Sequence, residues 1–230
     1  MKAGKMELTI LMPCLNEEKT IASCVKQAEV FLHTYGIAGE ILVADNGSED
    51  ASIQLAKKAG ARVVHCEKKG YGNALRYGIS KAKGTYVIMA DCDMSYYFLE
   101  AYPMYQLLKS GADMVIGDRF TGNMEKGAMP FLHKYFGVPV LSLLGRLRYR
   151  TDIKDFHCGM RGVNKERFLS LGCKCGGMEF ATEMIGRAAK NGQWLEQTPV
   201  KLYKDERGRK SHLRSVRDGL RHLHIMGEIE

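Results

Sequence analysis

At 230 residues with 45% apolar side chains, the chain is long enough to bury one large core and too apolar for a disordered tail. Seven cysteines without a CxxC pair argue against a zinc module or a disulfide scaffold and suit reduced thiols in a cytoplasmic protein. A formal charge of +8 points to anionic partners, phosphates above all.

The first half alternates strand and helix signals at the spacing of βαβ units. Leu8 to Met12 reads as an apolar strand ending at Pro13, and Asn16 as the cap of a helix from Glu17 to His33 with acids in its first turn. A second strand, Glu40 to Ala44, ends at Asp45; Asn46-Gly47 makes a turn, and Ser48 or Asp50 caps a short helix reaching Ala59. Arg62 to Cys66 is a third strand, followed by Gly70-Tyr71-Gly72 and a helix from Asn73 to Ala82. Position 75 is Leu, so the two glycines do not complete a dinucleotide-binding fingerprint. A fourth strand, Tyr86 to Ala90, a helix from Phe98 to Lys109 and a fifth strand, Asp113 to Gly117, complete this half. Such alternation predicts an α/β fold, a mostly parallel central sheet with helices on both faces.

The fourth strand leads into Asp91-Cys92-Asp93. Its apolar run reads as a strand buried on both faces, and residues two apart in an extended segment share a side, so both carboxylates can converge on one cation. A hard divalent ion, Mg²⁺ or Mn²⁺, is held this way with substrate phosphate and water completing its shell. Several strands end in Asp, Asn or Arg on one rim, where open parallel sheets bind nucleotides.

Five segments then stand in order: Met12-Pro13-Cys14-Leu15-Asn16-Glu17-Glu18, Asp45-Asn46-Gly47-Ser48-Glu49-Asp50, Gly70-Tyr71-Gly72-Asn73-Ala74-Leu75, Asp91-Cys92-Asp93 and Val115-Ile116-Gly117-Asp118-Arg119. The series resembles family 2 glycosyltransferases of GT-A fold, and most of all the dolichyl- and polyprenyl-phosphate hexose synthases. Asp155-Phe156-His157-Cys158-Gly159-Met160-Arg161, Gly177 to Glu183 and His212 to Leu223 look like blocks of that subgroup. The resemblance implies an inverting, metal-dependent transfer of a hexose from a nucleotide sugar, of UDP-glucose or GDP-mannose type, to a polyprenyl or dolichyl phosphate. It implies that Pro13, Leu15, Asn16, Glu17, Asp45, Asn73, Asp91 and Cys92 serve the nucleotide sugar and that Asp91 and Asp93 hold the metal. Arg119, Arg207 and Arg209 would face the acceptor phosphate, with Asp155, Arg119 and Glu183 at the reaction centre. It further implies a catalytic domain over 1–205, with a nucleotide-binding half at 6–120 and an acceptor half at 121–205, then a basic loop and helix over 206–230.

The chemistry is consistent with that assignment. A lipid phosphate, with a second pKa near about 6, is already mostly ionised at neutral pH and needs no general base. A hydroxyl acceptor, from a saccharide, a peptide or another soluble molecule, would need one; Asp155 is the first candidate and Glu183 the second. His157-Cys158 reads as packed core rather than as a catalytic pair.

No apolar run reaches the roughly 18 residues of a membrane span, and Pro13, Asn16, Glu17 and Glu18 interrupt any signal-peptide core. Met129 to Leu144, broken by His133, Lys134 and two prolines, reads as an interfacial or core helix. Leu213, Val216, Leu220 and Leu223 recur at helical spacing beside Lys210, Arg214, Arg217 and Arg221, a basic amphipathic pattern fitting either a membrane surface or the protein's own body. Subgroup relatives often continue into transmembrane helices, whereas this sequence stops at Glu230; peripheral attachment at the cytoplasmic membrane face, or a separate membrane-protein partner, is therefore expected. Basic residues lack the aromatic interleaving of a nucleic-acid platform, so no nucleic acid is expected, and a homo-oligomer is left open.

Overall fold

The computed structural model describes residues 6–208 and 215–229. The five expected strands form as β1 (Leu8–Cys14), β2 (Gly39–Asp45), β3 (Arg62–His65), β4 (Tyr86–Met89) and β5 (Met114–Asp118). Two more, β6 (Arg161–Asn164) and β7 (Leu195–Pro199), join them. The helices are α1 (Ile21–Thr34), α2 (Ser52–Lys58), α3 (Tyr71–Lys81), α4 (Tyr102–Lys109), α5 (Val138–Tyr149), α6 (Lys165–Ser170), α7 (Phe180–Lys190) and α8 (Ser215–Glu228). One sheet holds the strands in the order β3-β2-β1-β4-β6-β5-β7. Every neighbouring pair is parallel except those of β6, which runs antiparallel to β4 and β5.

Pro13 does not stop β1. Pairing with β4 ends at Leu11 opposite Met89, so the missing N–H of Pro13 faces a side with no ladder to complete. Its carbonyl accepts the Cys92 thiol instead, at 3.1 Å.

Helix α1 begins later than a cap at Asn16 would place it. Asn16 takes a left-handed backbone, φ 57°, and its carboxamide oxygen accepts from the Glu49 amide at 2.8 Å. The side chain is spent across the sheet rim on the loop after β2, so it cannot cap a helix, and no acid occupies the first turn of α1. Thr20 precedes that turn and donates its hydroxyl to the Cys92 carbonyl at 2.7 Å.

The register puts helices on both faces. Leu11 lies level with Met89, and Ile10 with Ile88 and hence Gly162. A Cβ at Gly78 of α3 would meet Leu11, whereas one at Gly162 would meet Leu108 and Met104 of α4. Helices α3 and α4 therefore cover opposite faces of a sheet whose central strands are buried except at Pro13, Tyr86 and Asn164.

Candidate active site

Strand order reverses direction at β1, flanked by β2 on one side and β4 on the other. The carboxyl ends of parallel strands at such a switch point open a crevice. Here the crevice is a cavity of about 1210 Å³ lined by Pro13, Leu15, Glu17, Asp91, Asp93 and Arg119, among others. Because β6 is antiparallel, the turn before it, 155–160, reaches the same rim, and His157, Cys158 and Gly159 line the cavity too.

Hydrogen bonds lace the first two loops of the rim together. The Asn16 amide donates to Ser48 Oγ (2.9 Å), that of Glu17 to Ser52 Oγ (2.7 Å) and that of Glu18 to Asp50 (3.1 Å). Asn46 ties this unit to the next loop by donating to the Cys66 and Lys68 carbonyls and accepting from the Gly70 amide at 2.6 Å. Asp45 is fully buried; its carboxylate accepts from the Gly47 and Ser48 amides and pairs with His65 at 2.8 Å. Asn16 and Asp45 thus build the wall, and neither lines the cavity. Asn73 borders a second, smaller concavity and donates to the Lys69 carbonyl at 3.1 Å.

The glycines of Gly70-Tyr71-Gly72 answer to packing. A Cβ at Gly70, whose φ is 132°, would sit 2.2 Å from the Gly176 carbonyl oxygen, and one at Gly72 would sit 2.6 Å from that of Cys175. Tyr71 between them enters the cavity and hydrogen-bonds Asp91.

Asp91 and Asp93 lie beyond the end of β4, in irregular chain, so strand alternation is not what places them. Burial raises the pKa of Asp91, against the Tyr71 hydroxyl and the charges of Arg207, Arg119 and Arg161. Asp93 accepts from the Ser95 amide at 2.9 Å and from its hydroxyl, and its other oxygen holds the Arg207 guanidinium. Arg207 also approaches Glu17 at 3.8 Å. A cationic group therefore sits on Asp93 already, and a Cβ at Gly159 would come within 2.6 Å of Asp91 Oδ2, so glycine there keeps the space beside that oxygen open. Two hard carboxylates lining one crevice fit a divalent ion that completes its shell with substrate oxygens. Among the described residues, no cluster of three or more His, Cys, Asp or Glu could cage a metal.

Arg119 and Asp155 form a buried bidentate pair, Nε and Nη2 each 2.7 Å from a carboxylate oxygen. The Arg119 and His157 amides donate to the same carboxylate at 3.2 and 3.3 Å. Burial pulls the guanidinium pKa down, but Asp155 outweighs it and the net shift is well upward. Arg119 lines the cavity, whereas Asp155 lies behind it. Glu183 is fully buried in α7 and is not a lining residue. Its carboxylate accepts from the Lys174 amide (2.8 Å), the Cys175 amide (2.7 Å) and Arg187 Nε (2.9 Å).

His157 and Cys158 are no catalytic pair. Burial pushes the Cys158 thiol to about 12, and both ring nitrogens of His157 are without a hydrogen-bond partner. The His157 ring packs edge-on against His222 of α8, centroids 4.4 Å apart. Arg161, at the start of β6, donates to the Phe156, Cys158 and Ala181 carbonyls, fixing the 155–160 turn against α7. It and Tyr71, Tyr96 and His222 line the cavity without having stood out as site residues in the sequence. Tyr71 and Arg161 stood in the Gly-Tyr-Gly and His-Cys-Gly blocks and His222 in the C-terminal block, whereas Tyr96 carried no sequence signal. Arg209 lies outside the described residues.

A family profile described as glycosyl transferase family 2 matches residues 9–171. The chain belongs to glycosyl transferase family 2. This family 2 glycosyltransferase is 36% identical over 220 residues to the low-salt glycan biosynthesis hexosyltransferase Agl6 of Haloferax volcanii, covering 95% of itself but only 52% of that relative. It therefore spans about half the relative's length. A dolichyl-phosphate hexose transferase of the same organism is 30% identical, with 84% of this chain and 82% of that one covered. Among solved structures, glucosyl-3-phosphoglycerate synthase of Mycobacterium tuberculosis, in complex with Mn²⁺, UDP and phosphoglyceric acid, superposes with a TM-score of 0.74 at 21% identity. That match covers 99% of this chain and 79% of the synthase, which is also known with Mg²⁺ and UDP. The family 2 enzyme thus has the GT-A fold.

Proposed function

We propose that this glycosyltransferase moves a hexose, with inversion, from a nucleotide diphosphate sugar to a polyprenyl or dolichyl phosphate. One observation carries the acceptor assignment: the cavity joins the Asp91–Asp93 rim to an apolar wall of Met129, Leu132, Phe136, Val138 and Leu141. A diphosphate sugar suits the first part and an isoprenoid chain the second. The dolichyl-phosphate hexose transferase relative supports the same reading.

In this reading Pro13, Leu15, Glu17 and Cys92 line the donor's side of the crevice, with Asn16, Asp45 and Asn73 shaping its walls. Asp91 and Asp93 hold a Mg²⁺ or Mn²⁺ ion, which when bound neutralises charge developing on the leaving diphosphate. Arg207 and Arg209 serve the acceptor phosphate, and Arg207 exchanges its contact with Asp93 for phosphate oxygens. An oxygen of the lipid phosphate attacks the anomeric carbon from the face opposite the diphosphate. The new C–O bond forms as the old one breaks, and the nucleoside diphosphate departs with the electron pair. No proton has to move, which agrees with the state of Asp155: four donors aim at its two oxygens, leaving little capacity for a base. Asp155 is a positioning residue that aims Arg119 at the phosphates, and Glu183 holds the 174–175 loop.

The test is nucleotide release from a panel of UDP- and GDP-sugars with Mn²⁺ or Mg²⁺, with and without a short polyprenyl phosphate, and with Asp93→Ala as control. Release that needs the lipid phosphate, one donor and Asp93 is expected. Release driven by a soluble hydroxyl acceptor, and indifferent to lipid phosphate, would overturn the acceptor assignment.

A further inference from the structure

We propose that the outer face of α5, with the turn before it, is a docking surface for an anionic lipid bilayer. The proposal deepens the lipid-phosphate reading above, on which its purpose rests, but its evidence is separate.

Helix α5 is amphipathic the wrong way round for a packed helix. Val140, Leu143, Leu144 and Leu147 recur at i, i+3, i+4 and i+7, the spacing of one helical face, and all four are exposed, Leu147 by 70%. The side facing the body carries Ser142, Gly145 and Tyr149. That orientation is fixed by contacts. Ser142 Oγ accepts from the Phe156 amide at 3.2 Å, and a Cβ at Gly145 would lie 2.6 Å from the Phe156 ring. No leucine of α5 can replace Gly145 against Phe156, so the apolar stripe points away from the core.

The stripe continues into the π-helical turn His133–Gly137 that leads into α5 and the two helical residues before it. Phe131 and Leu132 are 68% and 69% exposed, and Tyr135 and Phe136 are more than half exposed. Leu132 and Phe136 also line the cavity, so one apolar surface runs from the outside of the protein into its site. Contiguous exposed apolar surface of this kind marks a place where something docks.

Charge identifies the occupant. Residues 126–151 hold Lys126, Lys134, Arg146, Arg148 and Arg150 and not one Asp or Glu. A second copy of the chain would bring like charges together across the contact, whereas an anionic bilayer takes both the leucines and the cations. Helix α8 is fastened alongside, since Arg148 donates to the Met226 and Ile229 carbonyls at 3.2 and 3.0 Å. It adds exposed Leu220 and Leu223.

The experiment is vesicle flotation without donor, metal or acceptor, comparing phosphatidylcholine vesicles with vesicles also containing phosphatidylglycerol. Wild-type protein is expected to float with the anionic vesicles and to be released by salt. Leu143→Glu/Leu147→Glu should lower the partition coefficient by about tenfold or more, from the apolar burial it removes. Leu169→Glu, at an exposed site on α6, should leave it unchanged, and all three proteins should melt alike. Wild-type protein that stays behind, or a double variant that floats as well as wild type, would overturn the proposal. So would a wild-type dimer, seen by light scattering, that the double variant dissolves. Transfer to a short, water-soluble polyprenyl phosphate in vesicle-free buffer reports separately on the acceptor reading and should survive in the double variant. Its absence from every protein, with flotation intact, would sink that reading and leave the surface standing.

Discussion

Asp155→Asn distinguishes a positioning residue from a general base. The carboxylate has no solvent exposure and receives two charged hydrogen bonds of 2.7 Å from Arg119. Asparagine keeps one acceptor oxygen and turns an N–H₂ towards an N–H donor, so one bidentate contact becomes a donor–donor conflict. Removing one partner of a buried pair costs about 3–5 kcal/mol, against a total stability of about 5–15 kcal/mol. The Arg119 side chain is 10% exposed to the cavity, where water relieves part of its unpaired charge, so the lower end, about 3 kcal/mol, is expected in urea unfolding. Arg119→Gln in the Asp155→Asn background should recover at least about 1 kcal/mol, because the stranded charge is gone. Transfer should fall about 10²–10³-fold as the phosphate-facing guanidinium loses its aim, with the shape of the pH–rate profile unchanged. Stability within about 1 kcal/mol of wild type, together with loss of the acidic limb of that profile, would refute this and restore Asp155 as a base.

Glu183→Gln should cost about 2–3 kcal/mol in urea unfolding, from charged hydrogen bonds to the 174–175 loop and Arg187, while kcat changes by less than about threefold; a large kcat loss at full stability would instead place Glu183 at the sugar. Asp93→Ala should weaken Mn²⁺-dependent UDP binding by about 10²-fold or more, matching chelation of wild type, when followed by titration calorimetry. Burial pushes His222 down to about 4, against Glu179 and Asp218, which pull it up. An unfolded histidine titrates near about 6.5, so the stability from burying it neutral is whole above that pH and drains away as pH falls towards 4. The loss reaches about 3 kcal/mol, and burial of the adjoining His157 acts in the same direction. His222→Asn, which keeps a partner for the Thr182 hydroxyl, should flatten the fall of Tm between pH 7 and 4.

The strands that could be read in the sequence are those with apolar runs. β1, β2, β4 and β5 are buried on both faces and announce themselves, as does the rim of acids that follows them. β6 and β7 do not. Arg161-Gly162-Val163-Asn164 and Leu195-Glu196-Gln197-Thr198-Pro199 are short and half polar, and only their neighbours make strands of them. Side-chain destinations were harder to foresee than positions. Asn16 has the composition of a helix cap, yet the nearby Glu49 amide claims its oxygen, a contact made across the fold. The same limit hid the fate of Asp155 and Glu183. A carboxylate's place in a motif does not say whether its oxygens face substrate or backbone amides.

The reversed direction of β6 also bears on how this architecture acquires new acceptors. Residues 119–160 leave the sheet at the end of β5 and return at the start of β6, and these two strands are antiparallel neighbours that pair Ile116 with Arg161. The whole excursion is therefore one oversized hairpin loop with both feet on the same rim. Insertions or exchanges within it leave every strand pairing intact, and the donor side, built from β1, β2 and β4, carries none of the strain. On the reading proposed above, acceptor range can drift in the middle of this loop, provided that its two feet, which carry Arg119 and Gly159 beside Asp91, stay fixed.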